Sequence, residues 1–388
     1  MNSFIYDIPT KVYFGKGQLE NLGIEVKNYG ARALLVYGGG SIKKSGLYDS
    51  VIKLLNAQNV TIFELSGVEP NPEIDTVRRG VKICKENGVD VVLAVGGGSV
   101  IDCAKWVAAG AKVDFDAWDF YSKSAPVEVA LPIVSVLTLS ATGSEMDACG
   151  VVTNPQTKEK VGKLAQPLYP KVSFLDPTLT YTVDRYQTAC GSADILSHVM
   201  ETYFSKDEDL FMLDAIMEGI MKTVVKYAPI ALENPCDYEA RANLMWASSW
   251  AINGFVLGGK VKAWSCHPLE HQLTAYYGIT HGLGLAILTP RWMKYCLDDT
   301  TVDKYVSFGV NVFGIDKNLP KFEIANKSIE MLSDFLYKTL GLDDSFAKVG
   351  IGAENIKAMA KGASKGKFID GFKPLYQEDI EKIYCDCL

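Results

Sequence analysis

Residues 89–111 read VDVVLAVGGGSVIDCAKWVAAGA: a short valine-rich run ends in three glycines and passes directly into a segment with helical spacing. The unit recurs along the first half of the chain. ARALLVY (31–37) is followed by GGGS and by SGLYDSVIKLLNAQN (45–59), and VTIFELSG (60–67) by a helix through TVRRGVKICKENG (76–88). LPIVSVLTL (131–139) leads into SATGSE (140–145). Apolar runs of this length, bounded by glycines and interleaved with helices, imply a parallel sheet with helical crossovers. Residues 1–186 therefore read as an α/β dinucleotide-binding domain. Beyond them, DLFMLDAIMEGIMKTVVKYAPIAL (209–232), DYEARANLMWASSWAING (237–254) and FEIANKSIEMLSDFLYKTLG (322–341) carry apolar residues at helical spacing. Residues 187–388 read as an all-α domain. The division falls in DPTLTYTVDRYQTACG (176–191), where Pro177 and a threonine run break the periodicity.

Glycines at a strand-to-helix junction let the backbone approach a phosphate, and the helix start offers free N–H groups. Two strands end in the same word, YGGGS (37–41) and VGGGS (95–99). Neither is a GxGxxG, because the third glycine would fall at Lys43 or Ile101; as isolated features both loops read equally as tight turns. The third strand end, TLSATGSE (138–145), adds Thr138, Ser140 and Ser144, small donors suited to phosphate, ribose or amide oxygens, and turns the reading toward a dinucleotide.

A chain of 388 residues with 48% hydrophobic and 22% charged residues has material for about two domains of ~150 residues. Its net charge of −7 offers no broad cationic surface to nucleic acid or an anionic membrane. The most apolar run, VALPIVSVLTL (129–139), is too short to span a bilayer and contains Pro132. The opening residues lack a basic segment followed by an apolar one, and the nine cysteines are scattered without a CxxC pair. A cytoplasmic protein with reduced thiols is expected, with the CDC tail (385–387) a weak soft-metal candidate.

The chain has four histidines, three of them in HPLEHQLTAYYGITHG (267–282) and one in ADILSHVMETYF (193–204). Asp194 and His198 are four apart and share a helical face, as do His267 and His271. Gly278 interrupts the pattern, so His281 belongs to a following segment. One carboxylate and three imidazoles suit a divalent transition ion with a position left for substrate. Spacing does not choose among iron, zinc and other ions, and one histidine is left for another role. Taken singly, each histidine also reads as a satisfied core residue.

Together, PNPEIDT (70–76), AVGGGSVID (94–102), ATGSE (141–145), ADILSH (193–198) and HPLEHQLTAYYGITHG resemble the iron-containing, or group III, alcohol dehydrogenases. Within them the chain is similar to the butanol dehydrogenase and broad-range aldehyde reductase branch. The resemblance implies a metal-dependent enzyme that interconverts small primary alcohols, such as butanol, and aldehydes by hydride transfer. It implies Asp194, His198, His267 and His281 as ligands of one Fe²⁺ or Zn²⁺, with His271 catalytic beside them. It also implies dinucleotide contacts at Gly38, Gly39, Ser41, Asn71, Gly97, Gly98, Ser99, Asp102, Thr138, Ser140, Ser144 and Lys160. NAD-preferring relatives place an aspartate where this chain has Gly38, and Lys43 and Lys44 follow. Removing that charge and adding cations favours NADP(H), with NAD(H) also expected to serve. A homodimer is implied.

Two alternatives share the metal motif. A glycerol dehydrogenase-like enzyme would oxidise polyols. A dehydroquinate synthase-like cyclase would need cations facing the metal, for which Lys260 and Lys262 are the candidates. A metal-binding module without enzymatic activity is the third reading. Trp106, Phe255, Val256 and Leu257 serve either an alkyl pocket or the core.

Overall fold

The short apolar runs of the first half are strands in the computed structural model, which describes residues 1–207, 209–260 and 264–388. They are β1 (Lys11–Phe14), β2 (Arg32–Tyr37), β3 (Thr61–Leu65), β4 (Val91–Gly96), β5 (Ile133–Leu137), β6 (Cys149–Asn154), β7 (Glu159–Leu164) and β8 (Val172–Leu175). Six of them form a parallel sheet in the order β1-β8-β5-β4-β2-β3 among the described residues. Helices cover both faces of such a sheet, so its central strands carry no polar alternation. Ala33–Val36 and Val91–Val95 are accordingly buried without a break. β6 and β7 form a separate antiparallel pair, which the crossover pattern did not foretell. Trp106 lies in this core, its ring 5.6 Å from Phe120 and 4.7 Å from Tyr121 between centroids, and not in a pocket.

β2 and β4 are neighbours in register, Tyr37 opposite Val95, so the two GGGS loops leave the sheet side by side. The chain runs from β2 outward to β3, whereas from β4 it runs to β5 on the other side. The two glycine loops therefore flank the point where strand order reverses, the usual ligand crevice of open parallel sheets.

The second unit is built around the Arg185–Tyr203 helix, which is buried from Thr188 to Tyr203 on every side. Small residues on it (Ala189, Gly191, Ser192, Ala193) let the Phe211–Glu233, Tyr238–Ile252 and His281–Cys296 helices pack closely. A Cβ on Gly282 would lie 2.0 Å from the Cys190 carbonyl oxygen, so the crossing admits nothing larger than glycine. Among its described residues the regular structure of the unit is helical except for an antiparallel pair, β9 (Phe368–Asp370) and β10 (Pro374–Tyr376). No helix among the described residues is long and apolar enough to cross a membrane.

The first compact unit spans Asp7–Val183, beside the expected division at 186/187. Asp184 begins the second because its side chain caps the Arg185–Tyr203 helix, accepting from the Gln187 N–H at 2.8 Å. Met1–Tyr6 also belongs to the second unit, with the Asn2 N–H bonded to the Gly259 carbonyl at 3.0 Å. All nine cysteines are free. Cys385 is exposed and Cys387 buried with its thiol on the Ile383 carbonyl, so the CDC tail does not form a paired thiol site.

Gly282 and Gly219 give opposite expectations for the same substitution. Gly282→Ala should destabilise by at least about 1–3 kcal/mol, because backbone must move to relieve the clash. Gly219, inside the Phe211–Glu233 helix, has nothing within 4 Å of an added Cβ. Gly219→Ala should stabilise by up to about 1 kcal/mol through helix propensity. Urea unfolding of both variants checks the pair.

Candidate functional site

Asp194 and His198 stand one turn apart on the buried Arg185–Tyr203 helix, and the His198 Nε2 is 3.7 Å from the Asp194 Oδ1. His267 and His271 lie on the Cys266–Tyr277 helix, which Gly278 ends with a φ of 65°. His281 opens the next helix, as the interruption at Gly278 led one to expect, and its Nε2 is 3.6 Å from the same carboxylate oxygen. One ligand atom each of Asp194, His267 and His281 lies within 4.8 Å of the others. His198 adjoins this trio, its ring stacked on His267 with centroids 4.7 Å apart. His271 stands further off, half-buried, with centroids 6.4 Å from His267 and 6.0 Å from His281.

The Asp194 Oδ1 and the His267 Nε2 are buried and have no hydrogen-bond partner among the described residues. Leaving such groups unsatisfied costs about 1–3 kcal/mol each. A buried carboxylate oxygen and a buried imidazole nitrogen without such partners, with a second imidazole converging on them, fit a divalent transition ion. Two carboxylates that the spacing argument passed over complete the picture. Glu201 pairs with the His267 Nδ1 at 2.9 Å, and Glu270 with the His281 Nδ1. The legible signal was position: Glu201 follows Asp194 by seven residues on one helical face, and Glu270 sits inside HPLEH.

In the first unit the expected dinucleotide residues, apart from Asn71 after β3 and Lys160 on β7, follow the carboxyl ends of β2, β4 and β5. Gly97 precedes the Gly98–Gly110 helix, and a Cβ on Gly98 would lie 2.2 Å from the Thr142 Oγ1, so close backbone approach requires glycine there. Gly38 and Gly39 end β2, and Ser41 starts a single turn of helix after Gly40, whose φ is 106°. Ser99 donates to the Pro70 carbonyl, which ties the loop to the turn bearing Asn71. That turn in turn meets β6, the Thr153 N–H donating to the Pro72 carbonyl at 2.8 Å, and Lys160 lies opposite Thr153 in the hairpin. Thr138 closes β5 against the Gly96 carbonyl at 3.0 Å, with Ser140 half-buried just beyond. The Ser144 hydroxyl donates to Asp102 at 2.6 Å, so it organises a neighbour.

Lys43 is not a free surface group. Its Nζ lies 5.1 Å and 4.6 Å from the ring centroids of Tyr37 and Tyr48, whose hydroxyls donate to Glu64 at 2.6 and 2.7 Å. Lys260, one of the two cations a cyclase would need, is buried and lies 3.6 Å from Asp214, with its pKa lowered chiefly by burial. Lys262 lies outside the described residues.

Comparison with known proteins bears on both units. Residues 9–177 match the family model described as iron-containing alcohol dehydrogenase, and residues 188–388 match the Fe-containing alcohol dehydrogenase family, C-terminal. The chain is 53% identical to NADH-dependent butanol dehydrogenase A of Clostridium acetobutylicum over 99% of both chains. It is 36% identical to the NADPH-dependent aldehyde reductase YqhD of Escherichia coli, over 93% of this chain and 92% of that one. The crystal structure of an NADH-dependent butanol dehydrogenase A from Thermotoga maritima superposes with a TM-score of 0.95 at 40% identity, covering 100% of this chain and 99% of that one.

Asp102 generates a pH dependence. Its carboxylate is buried and also accepts from the Val151 N–H at 3.1 Å. Burial pushes its pKa up to about 6, against the opposing pull of the Lys105 ammonium. A carboxyl whose pKa is higher folded than unfolded stabilises the fold when protonated, and that stability is lost as pH rises from about 4 through about 6. The loss is at most ~3 kcal/mol. Asp102→Asn, uncharged throughout, should flatten the profile of Tm against pH between pH 4 and about 7, measured without dinucleotide. A profile as steep as that of the wild type would contradict the burial argument.

Proposed function

The chain belongs to the iron-containing alcohol dehydrogenase family, and from that premise we propose that it interconverts small primary alcohols, butanol among them, and their aldehydes with a nicotinamide dinucleotide. The observation that carries the reading is the convergence of Asp194, His267 and His281, in which the buried Asp194 Oδ1 and His267 Nε2 have no hydrogen-bond partner among the described residues. His198, 3.7 Å from the same carboxylate oxygen, completes the proposed ligand set for Fe²⁺ or Zn²⁺. When bound, the ion supplies Lewis acidity to an alcohol or aldehyde oxygen, and the dinucleotide gives or takes the hydride.

The protein's own contributions follow from placement. Asp194 brings formal negative charge to the cation, and the imidazoles bring neutral donors that orient it. His271, beside the trio and within reach of solvent, relays the proton that leaves or joins the substrate oxygen. In the first unit, the free N–H groups at the start of the Gly98–Gly110 helix receive the pyrophosphate. The commitment of Lys260 to Asp214 weighs against a cyclase that must grip a phosphorylated acid.

On cofactor choice two indications diverge. Relatives 53% and 50% identical are named NADH-dependent. Gly38 offers no carboxylate to repel a 2′-phosphate and Lys43 stands close by, which supports acceptance of NADPH and the preference expected from the loop. Nine free thiols support a reducing, cytoplasmic setting. The homodimer implied by the family resemblance is read directly by sedimentation equilibrium.

Butyraldehyde reduction by Fe²⁺- or Zn²⁺-reconstituted protein, assayed with NADPH and NADH in parallel, tests the reading; absence of turnover with both ions and both dinucleotides contradicts it. His267→Ala and His281→Ala should lose bound metal by elemental analysis and lower kcat by at least about a hundredfold. His271→Ala should retain the metal yet lose about 10²-fold in kcat, with a changed pH–rate profile. Gly38→Asp should move the ratio of kcat/KM for NADPH over NADH toward NADH by about tenfold, or ~1.4 kcal/mol.

A further inference from the structure

Each of two histidines in the proposed metal centre is held from behind by a buried carboxylate. The Glu201 side chain comes from the same helix as Asp194 and meets the His267 Nδ1 at 2.9 Å. It also accepts the backbone N–H groups of Ser265 and, at 2.6 Å, of His267, at the start of a helix that has no side-chain cap of its own. A carboxylate from one helix thereby caps the next, where the helix dipole favours negative charge. Glu270 lies three residues after His267 on the Cys266–Tyr277 helix and reaches across to the His281 Nδ1. The Thr274 hydroxyl, one turn further on, donates to Glu270. Across the helix pair a Cβ on Gly284 would lie 2.9 Å from the Glu270 Cγ, so glycine there leaves the carboxylate its place.

We propose that Glu201 and Glu270 are positioning residues that select the Nδ1–H tautomer of His267 and His281 and so aim both Nε2 lone pairs at Asp194. An ionised carboxylate only accepts hydrogen bonds, so the ring nitrogen facing it carries the proton and the opposite nitrogen of a neutral imidazole carries the lone pair. The geometry has that sense at both rings. The His281 Nε2 is 3.6 Å from the Asp194 Oδ1, and the His267 Nε2 is a buried atom without a hydrogen-bond partner among the described residues. Because Glu201 and Asp194 share one helix, the distance between the ligand carboxylate and the orienting carboxylate is set by rigid backbone. Glu270 couples the two histidine-bearing helices in the same way.

The inference rests on the metal-centre reading, and Zn²⁺ and Co²⁺ titrations of the apo full-length protein test the two separately. Glu201→Leu and Glu270→Leu should weaken Zn²⁺ binding about 10–100-fold, the usual effect of removing an outer carboxylate. Glu201→Gln and Glu270→Gln should weaken it by less, since the amide oxygen still accepts from Nδ1–H. The Co²⁺ d–d absorption should shift in all four variants. An unchanged thermal shift on adding the dinucleotide shows that the first unit is intact, and far-UV circular dichroism reports the helical one. Should either leucine variant fail to fold, the glutamine variants decide. Zn²⁺ affinity within twofold of wild type, with an unaltered Co²⁺ spectrum, in both folded glutamine variants overturns the positioning role, because capping or filling alone would leave these readouts unmoved. Wild-type protein that binds neither ion, or Asp194→Ala protein that binds as tightly as wild type, overturns the metal centre itself and this inference with it.

Discussion

A carboxylate on a helix with no solvent-facing side is the constraint from which the second unit follows. Asp194 is buried in the middle of the Arg185–Tyr203 helix, where an ion without compensation is far costlier than any single packing error. Small residues on this helix and Gly282 on its neighbour bring the His281-bearing helix close enough for an imidazole to reach the carboxylate. Packing and electrostatics thus impose the same requirement. A bulkier residue at 282 would open the crossing and move His281 away from Asp194.

Charge balance leads to the same place. Asp194, Glu201 and Glu270 are all buried, and each faces an imidazole ring. With neutral imidazoles the group would hold an excess of negative charge in a low-dielectric surround, which a divalent cation would offset. In the proposed centre each ring would act as a ligand on one edge and as a hydrogen-bond donor on the other, so that His267 and His281 each link an inner oxygen to an outer one.

Much of this was legible in the residues. Glycine-bounded apolar runs gave the parallel sheet, because covered strands read as continuous hydrophobic words, and the four-residue offsets of Asp194–His198 and His267–His271 placed side chains on helical faces. The parts that stayed hidden depend on contacts distant in sequence. Met1–Tyr6 belongs with the second unit through a backbone bond to Gly259, which no periodicity encodes. β6 and β7 carry few apolar residues in alternation and so passed unnoticed. Glu201 and Glu270 resembled ordinary solvated helix charges, and only the approach of separate helices gives them their roles.

The hydroxyls of the first unit show how residues expected near a ligand are also tied into the protein's own loops. Ser144 was read as a small donor and Ser99 as a dinucleotide contact implied by the resemblance, and their hydroxyls donate to Asp102 and to the Pro70 carbonyl respectively. Each thereby fixes a loop: Ser99 joins the glycine turn to the Asn71 turn, and Ser144 joins the end of β5 to the Gly98–Gly110 helix. Glycine at 98 is required sterically by the Thr142 side chain, which packs where a Cβ would stand. Charged side chains also stand outside the glycine words, beside β2. There, the Glu64 carboxylate is held by two tyrosine hydroxyls while Lys43 lies over both rings, so one negative and one positive group are fixed beside β2. A 2′-phosphate placed in that setting would gain from Lys43 and lose from Glu64.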